Sequence, residues 1–135
     1  MIEKKLVVSG KRKSAVAKSA IKPGTGIVKI NKMPYENLRQ FHKLMISEPI
    51  EIAKNVLGNF DFDISVTMKG GGTEGQIEAA RLAIAKSLVA LTKSEKLKKA
   101  YQEYDKNLLV ADIRRKEPYK PGDSKARSKR QKSYR

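Results

Sequence analysis

Positively charged side chains are the residues in this sequence whose number and spacing best support a chemical role. The chain has 30 Lys and Arg against 14 Asp and Glu, a formal net charge of +16 over 135 residues. A compact protein with that charge repels itself unless an anion neutralises it. Regularly spaced phosphates suit many separate Lys and Arg contacts, so nucleic acid is favoured over an anionic membrane or an acidic protein.

The C-terminal segment, residues 113–135, concentrates this charge. From residue 114 onward there are ten basic residues, two acids and no Leu, Ile, Val, Phe or Met. Such a segment cannot bury enough apolar area to offset its ordering entropy, so we expect an extended basic tail, disordered without RNA. A solvated solubility appendage is the alternative, but Tyr119 and Tyr134 could stack on bases between the cations. The predicted RNA-binding residues here are Arg114, Arg115, Lys116, Lys120, Lys125, Arg127, Lys129 and Arg130.

A second basic patch is predicted near the N-terminus. Lys11, Arg12 and Lys13 form a basic turn, and Lys18 follows closely, with Lys22 and Lys29 further along. A solvated surface is the alternative, but the charge of the whole chain favours an edge that faces RNA.

The glycine run at residues 70–72 allows two interpretations. It leads from a predicted strand into a predicted helix, where backbone amides and the helix dipole favour a phosphate. It also permits a tight turn that lets the helix pack closely. We therefore include Gly70, Gly71, Gly72 and Gln76 among the candidate RNA contacts. The Gly-Lys-Ser/Thr ending of a nucleotide-binding loop is missing, so no nucleotide cofactor is expected.

Catalytic and metal-binding constellations are not evident. There is no cysteine and a single histidine, His42, beside an apolar stripe, where packing or a surface position is expected. Asp61 and Asp63 share the polar side of a predicted strand, but no acid, base or nucleophile partners them, so ion pairing with lysine is expected. We expect no enzyme, no metal, no cofactor and no small-molecule substrate.

Hydrophobic periodicity predicts an α+β domain over residues 1–112, followed by the tail. Alternation and turn signals predict strands at 4–9, 14–22, 27–30 and 60–69; 14–22 is rich in alanine, so a helix is a competitor there. Helical periodicity covers 35–57, with a restart at Ser47-Glu48-Pro49 and a C-cap at Gly58. It also covers 74–92 and 95–105, where Leu97, Tyr101 and Tyr104 are expected in the core. No signal pattern or bilayer-spanning stretch is evident, so a cytoplasmic protein is expected.

The glycine run opens a longer pattern that resembles the signature of the family of the ninth protein of the small ribosomal subunit. The matching residues are Gly70-Gly71-Gly72-x-x-Gly75-Gln76-x-x-Ala79-x-x-x-Ala83-x-Ala85-Lys86-Ser87-Leu88. Gly10-Lys11-Arg12-Lys13 and the stretch 26–31 are similar to the N-terminal strands of that family. Leu109-Val110-Ala111-Asp112 and the ending Gln131-Lys132-Ser133-Tyr134-Arg135 are similar to its archaeal and eukaryotic branch.

This resemblance implies a small, mostly antiparallel sheet with helices on one face, including an uncommon left-handed β-α-β crossover. It implies a place in the head of the small subunit, on 16S-type rRNA, beside neighbouring head proteins. It also implies that the tail reaches the peptidyl-site tRNA, which makes Lys132, Ser133, Tyr134 and Arg135 the candidate tRNA contacts. An RNA or DNA chaperone acting off the ribosome is the alternative, and a nucleic-acid-processing enzyme is a third.

Overall fold

The computed structural model of the protein describes residues 5–105 and 108–110, so the predicted tail and its candidate contacts lie outside the described residues. The described part is an α+β structure, as predicted. Its elements are β1 (Leu6–Arg12), β2 (Ala15–Pro23), β3 (Val28–Ile30), β4 (Met33–Pro34), a 3-10 turn (Tyr35–Asn37), α1 (Gln40–Leu57), β5 (Phe62–Lys69), α2 (Thr73–Thr92) and α3 (Glu95–Tyr104).

The five strands form one sheet in the order β1-β2-β5-β3-β4. The expectation of a mostly antiparallel sheet was wrong, because the sheet is mixed. β5 pairs with β2 in antiparallel fashion and with β3 in parallel fashion. The parallel pair arises because the chain leaves β3, passes through α1 and returns as β5. Local residue patterns do not specify where the chain rejoins the sheet after α1. The left-handed β-α-β crossover stays a prediction.

Alternation along the strands places one face of the sheet in the core. In β2 the buried residues are Ala15, Ala17, Ser19 and Ile21, and β5 contributes Ile64 and Val66. The expected alternation of β5 is confirmed, and β2 forms a strand despite its alanines. Pairing on both sides supplies the tertiary context that overrides helix propensity.

Helix α2 covers the buried face of the sheet. It packs on β1, β2 and β5, while α1 packs on its other side and α3 packs on α1. Because it lies between two layers, α2 is buried nearly all round, which explains the unusually broad apolar stripe in its sequence. The buried hydroxyls of Ser19 and Ser87 meet at 3.2 Å, and Ser87 also donates to the carbonyl of Ile84.

Helix α1 runs unbroken through Pro49, so the expected restart at Ser47-Glu48-Pro49 was wrong. Proline lacks the amide hydrogen for the helical bond and normally kinks or ends a helix. Here Pro49 is fully buried and its carbonyl accepts a hydrogen bond from the hydroxyl of Tyr101 at 2.7 Å. Tertiary packing therefore holds the helix across the proline. The predicted cap is confirmed, because Gly58 adopts φ +81° and its amide donates to Lys54.

The apolar side of α3 is narrower than expected. Ser94 caps the helix by accepting a hydrogen bond from the amide of Leu97. Leu97 and Tyr101 are fully buried, as predicted, but Tyr104 is 56% exposed, so its expected place in the core was wrong. It lies in the last turn of the helix, at the edge of the contact with α1. Among the described residues, no helix combines the length and apolar character needed to cross a bilayer.

The pair of tyrosines in α3 gives a matched test of the contact with Pro49. Tyr101→Phe removes the buried hydroxyl, and we expect the free energy of unfolding to fall by about 1 kcal/mol. Tyr104→Phe removes an exposed hydroxyl and should leave that free energy unchanged. Urea denaturation of both variants measures the difference; equal effects would contradict the role given to the Tyr101 hydroxyl.

Candidate nucleic-acid interface

The face of the sheet opposite α2, which no helix of the described residues covers, forms a groove of about 1240 Å³ that we call the open face. Residues between the buried positions of each strand point to it. The middle of the groove is lined by small side chains such as Val16, Ala20 and Ser65. Around them lie its lysines: Lys5, Lys18, Lys22, Lys29 and Lys69.

Strand register brings residues that are distant in sequence together on the open face. Lys18 in β2 lies opposite Thr67 in β5, and Lys29 in β3 lies opposite Ser65. Lys69 lies opposite Val16. The lysines of neighbouring strands therefore flank the hydroxyl groups of the central strand.

Acidic residues are distributed differently from basic ones. The described strands contain six basic residues but a single acid, Asp63. The glutamates of the described elements lie in the helices or in the 3-10 turn. The open face therefore has a strongly positive potential, whereas the helical side has mixed charge.

The carboxylate of Asp63 is engaged by the backbone rather than aimed at a ligand. Its Oδ1 accepts hydrogen bonds from the amides of Thr25 at 3.0 Å and Ile27 at 3.2 Å. These bonds hold the pKa of Asp63 below its usual range. Asp61 lies before the start of β5, and its carbonyl accepts from the amide of Gly24. The Asp63 carboxylate and the Asp61 backbone carbonyl therefore hold the turn between β2 and β3, and the two carboxylates do not form a catalytic pair.

The predicted basic turn is divided by the direction of its side chains. Lys11 is exposed and lies opposite Val16, so it extends the open face, and Lys13 is exposed in the turn itself. Arg12 points the other way and pairs with Glu78 of α2. Strand β1 continues to Arg12, so successive side chains point to opposite faces of the sheet. Three consecutive basic residues in the sequence do not reveal this difference in direction.

The glycine loop packs against the same turn. Gly70 and Gly71 have φ +76° and +63°, and a Cβ on Gly70 would lie 2.7 Å from the carbonyl oxygen of Ser14. The side-chain amide of Gln76 donates to the Gly70 carbonyl at 3.0 Å. Tight-turn geometry thus explains two of the three glycines. Gly72 differs, because it has negative φ and open space around it.

The start of α2 lies beside His42. This histidine is buried, and its Nε2 lies 2.8 Å from a carboxylate oxygen of Glu74, in the first turn of α2. The pair joins α1 to α2, which agrees with the packing role expected for His42. Glu74 also places a negative charge near the helix start, where an approaching phosphate would be repelled.

Comparison with known proteins now identifies the family. The family model described as "Ribosomal protein S9/S16" matches residues 10–135. The chain belongs to this family. It is 43% identical over 129 residues to the small ribosomal subunit protein uS9 of Methanococcus vannielii, covering 93% of this chain and 95% of the relative. It is 45% identical over 133 residues to the protein of that name from Pyrobaculum aerophilum, covering 97% of this chain and 92% of the relative.

Membership confirms the resemblance and the expectation that the chain is a ribosomal protein rather than an enzyme. The archaeal relatives agree with the archaeal character of its final residues. Of the predicted RNA contacts in the described part, Lys11, Lys13 and Lys18 lie on or beside the open face. Lys5 and Lys69 also line the open face but were not among the predicted contacts, although the alternation of 60–69 already put Lys69 on the polar side of that strand.

A matched pair of serine substitutions tests the structural role of the glycine loop. Gly70→Ser places a side chain at positive φ against the Ser14 carbonyl, and we expect a loss of about 2 kcal/mol in the free energy of unfolding. Gly72→Ser fits an extended N-cap position in open space and should be neutral or slightly stabilising. Urea denaturation checks both; equal losses would show that the loop geometry is misassigned.

The hydrogen-bonded carboxylate of Asp63 should make stability depend on pH. Its pKa is lower in the folded chain than in the unfolded chain, so its contribution is present above about pH 4 and lost as pH falls through the folded pKa. Asp63→Asn should lower the melting temperature at pH 7 and weaken its fall in acid. Asp61→Asn is the control and should behave as the parent chain in a thermal melt followed by circular dichroism.

Proposed function

We propose that this chain is a structural component of the small ribosomal subunit that binds 16S-type rRNA in the subunit head. We further propose that its tail contacts peptidyl-site tRNA and that its other neighbours are head proteins. Family membership supports the structural role and a cytoplasmic location in that subunit. Charge, geometry and the family resemblance support the finer assignments.

The observation that carries rRNA binding is the lysine-lined open face. Several lysines share one side of the sheet, and the single acid among the strands has its carboxylate bound by backbone amides. The lysines of such a surface repel one another, and a bound polyanion neutralises their charge and stabilises the surface. Lys11, Lys13 and Lys18 supply the phosphate contacts in this proposal, and the exposed loop Gly70–Gly72 borders them through the turn at Ser14. Arg12 and Gln76 already bond within the protein and would chiefly hold these contacts in place.

The proposal for the tail depends on its composition. Close-packed phosphates inside a subunit repel one another, and a chain segment with ten cations and no aliphatic core can lie between them. Lys132, Ser133, Tyr134 and Arg135 supply the tRNA contacts in this proposal, as the family resemblance implies. The guanidinium of Arg135 can grip two phosphate oxygens at once, which suits a tRNA contact.

The proposal is tested by deleting Ser133–Arg135. We expect the shortened chain to co-sediment with small subunits in near-stoichiometric amounts after a moderate salt wash, because the rRNA-binding surface is intact. Those subunits should bind peptidyl-site tRNA several-fold more weakly, since a bidentate charged contact is lost. Sucrose gradients and filter binding of tRNA measure the two effects.

The control replaces a cation elsewhere. Lys99→Gln removes one positive charge from the exposed side of α3 and should change neither sedimentation nor tRNA affinity. Unchanged tRNA affinity after the deletion would contradict the proposed contact between the tail and peptidyl-site tRNA. A full-length chain absent from the subunit fraction would sink the ribosomal role and favour a chaperone acting off the ribosome.

A further inference from the structure

We infer that the open face docks on the minor-groove side of double-helical RNA and reads its backbone rather than unpaired bases. This inference rests on the proposed rRNA binding and specifies the form of RNA that the sheet accepts. It follows from three properties of the face: the chemistry of its centre, the placement of its lysines and the absence of aromatic groups among its described residues.

The centre of the open face carries hydroxyl groups between small apolar side chains. Ser65 and Thr67 are exposed on β5, the middle strand of the sheet, and their neighbours Val16 and Ala20 are small. Hydroxyls can both donate and accept hydrogen bonds, as the 2′-hydroxyl of RNA also can. Because the surrounding side chains are short, the backbone of a nucleic acid can approach this strip closely.

The lysines lie on both sides of that hydroxyl strip. Lys18 projects from β2 on one side, and Lys29 projects from β3 on the other; the two strands lie about 10 Å apart, and the lysines are offset by two residues along β5. A wide, shallow groove lined with 2′-hydroxyls and bordered by two rows of phosphates is the form that the minor groove of A-form RNA presents. Hydroxyls in the centre and cations at both edges are complementary to that form.

Among the described residues that line the open face, none is aromatic. The T-shaped pair Phe60 and Phe62 packs against the core instead. Proteins that bind single-stranded RNA on a sheet stack unpaired bases on exposed aromatic rings. The described residues of this face provide no such platform, so they can recognise RNA through phosphate and sugar contacts.

The test measures binding of the full-length chain to a short RNA duplex of about 16 base pairs, to the matching DNA duplex and to unpaired RNA. Lys18→Gln combined with Lys29→Gln should weaken RNA-duplex binding by about tenfold and lower the salt slope by about 2. Binding to unpaired RNA, which the tail supplies, should stay unchanged. Lys96→Gln combined with Lys99→Gln removes the same charge from α3 and should have no effect.

A second variant tests the hydroxyl strip without changing charge. Thr67→Val keeps the shape of an exposed strand residue and should lower affinity for the RNA duplex several-fold while leaving the DNA duplex unaffected. Thermal melts confirm that each variant folds as the parent chain does. A Thr67→Val chain that still prefers the RNA duplex as strongly as the parent does would overturn the hydroxyl contact.

The outcomes separate this inference from the proposed function. A parent chain that co-sediments with small subunits while the double lysine variant binds the RNA duplex as the parent does overturns the inference alone. A double lysine variant whose affinity for unpaired RNA falls as much as its affinity for the RNA duplex also overturns the inference, because the open face would then bind any polyanion. A double lysine variant that binds the RNA duplex normally but is incorporated poorly into subunits would indicate that the open face contacts an acidic protein. This result would likewise overturn the inference.

Discussion

The close approach of α2 to the first two strands is the constraint on which the rest of the structure depends. A Cβ on Gly10 would lie 2.5 Å from the carbonyl oxygen of Ala79 and 2.8 Å from the amide nitrogen of Ala83, so only glycine fits between strand and helix. Ala17, opposite Gly10 in β2, is also small and fully buried. The helix thus rests almost on the backbone of the sheet. The three helices of the described part of the chain then lie on that side, which leaves the other side for the lysines.

Much of this fold could be predicted because it is encoded locally. The alternation of β5, the length of α2 and the cap at Gly58 each depend on neighbouring residues. Features that depend on distant contacts could not be predicted in this way. Helix α1 continues through Pro49, which is fully buried and whose carbonyl accepts a hydrogen bond from Tyr101, some fifty residues later. The parallel pairing of β3 and β5 likewise depends on how the chain returns.

The candidate site shows the same division between local and distant information. Composition showed the excess of positive charge, and the basic turn was the reason to predict RNA contacts at Lys11 and Lys13, both of which are exposed. Which cations share a surface is decided by register, since Lys18, Lys29 and Lys69 come from three strands. Arg12 shows the opposite case, because strand alternation turns it towards Glu78. The structure also divides the glycine run between its two interpretations. Gly70 and Gly71 form the tight turn, whereas Gly72 alone of the three has open space around it.

The segregation of charge between strands and helices has a consequence for how the molecule meets its partner. A body that is positive on one side and mixed on the other carries an electric dipole, and the field of a polyanion exerts a torque on it before contact. The chain would therefore arrive with its sheet turned forward. Fewer collisions would be lost to wrong orientations, an advantage that fades as added salt shortens the reach of the field.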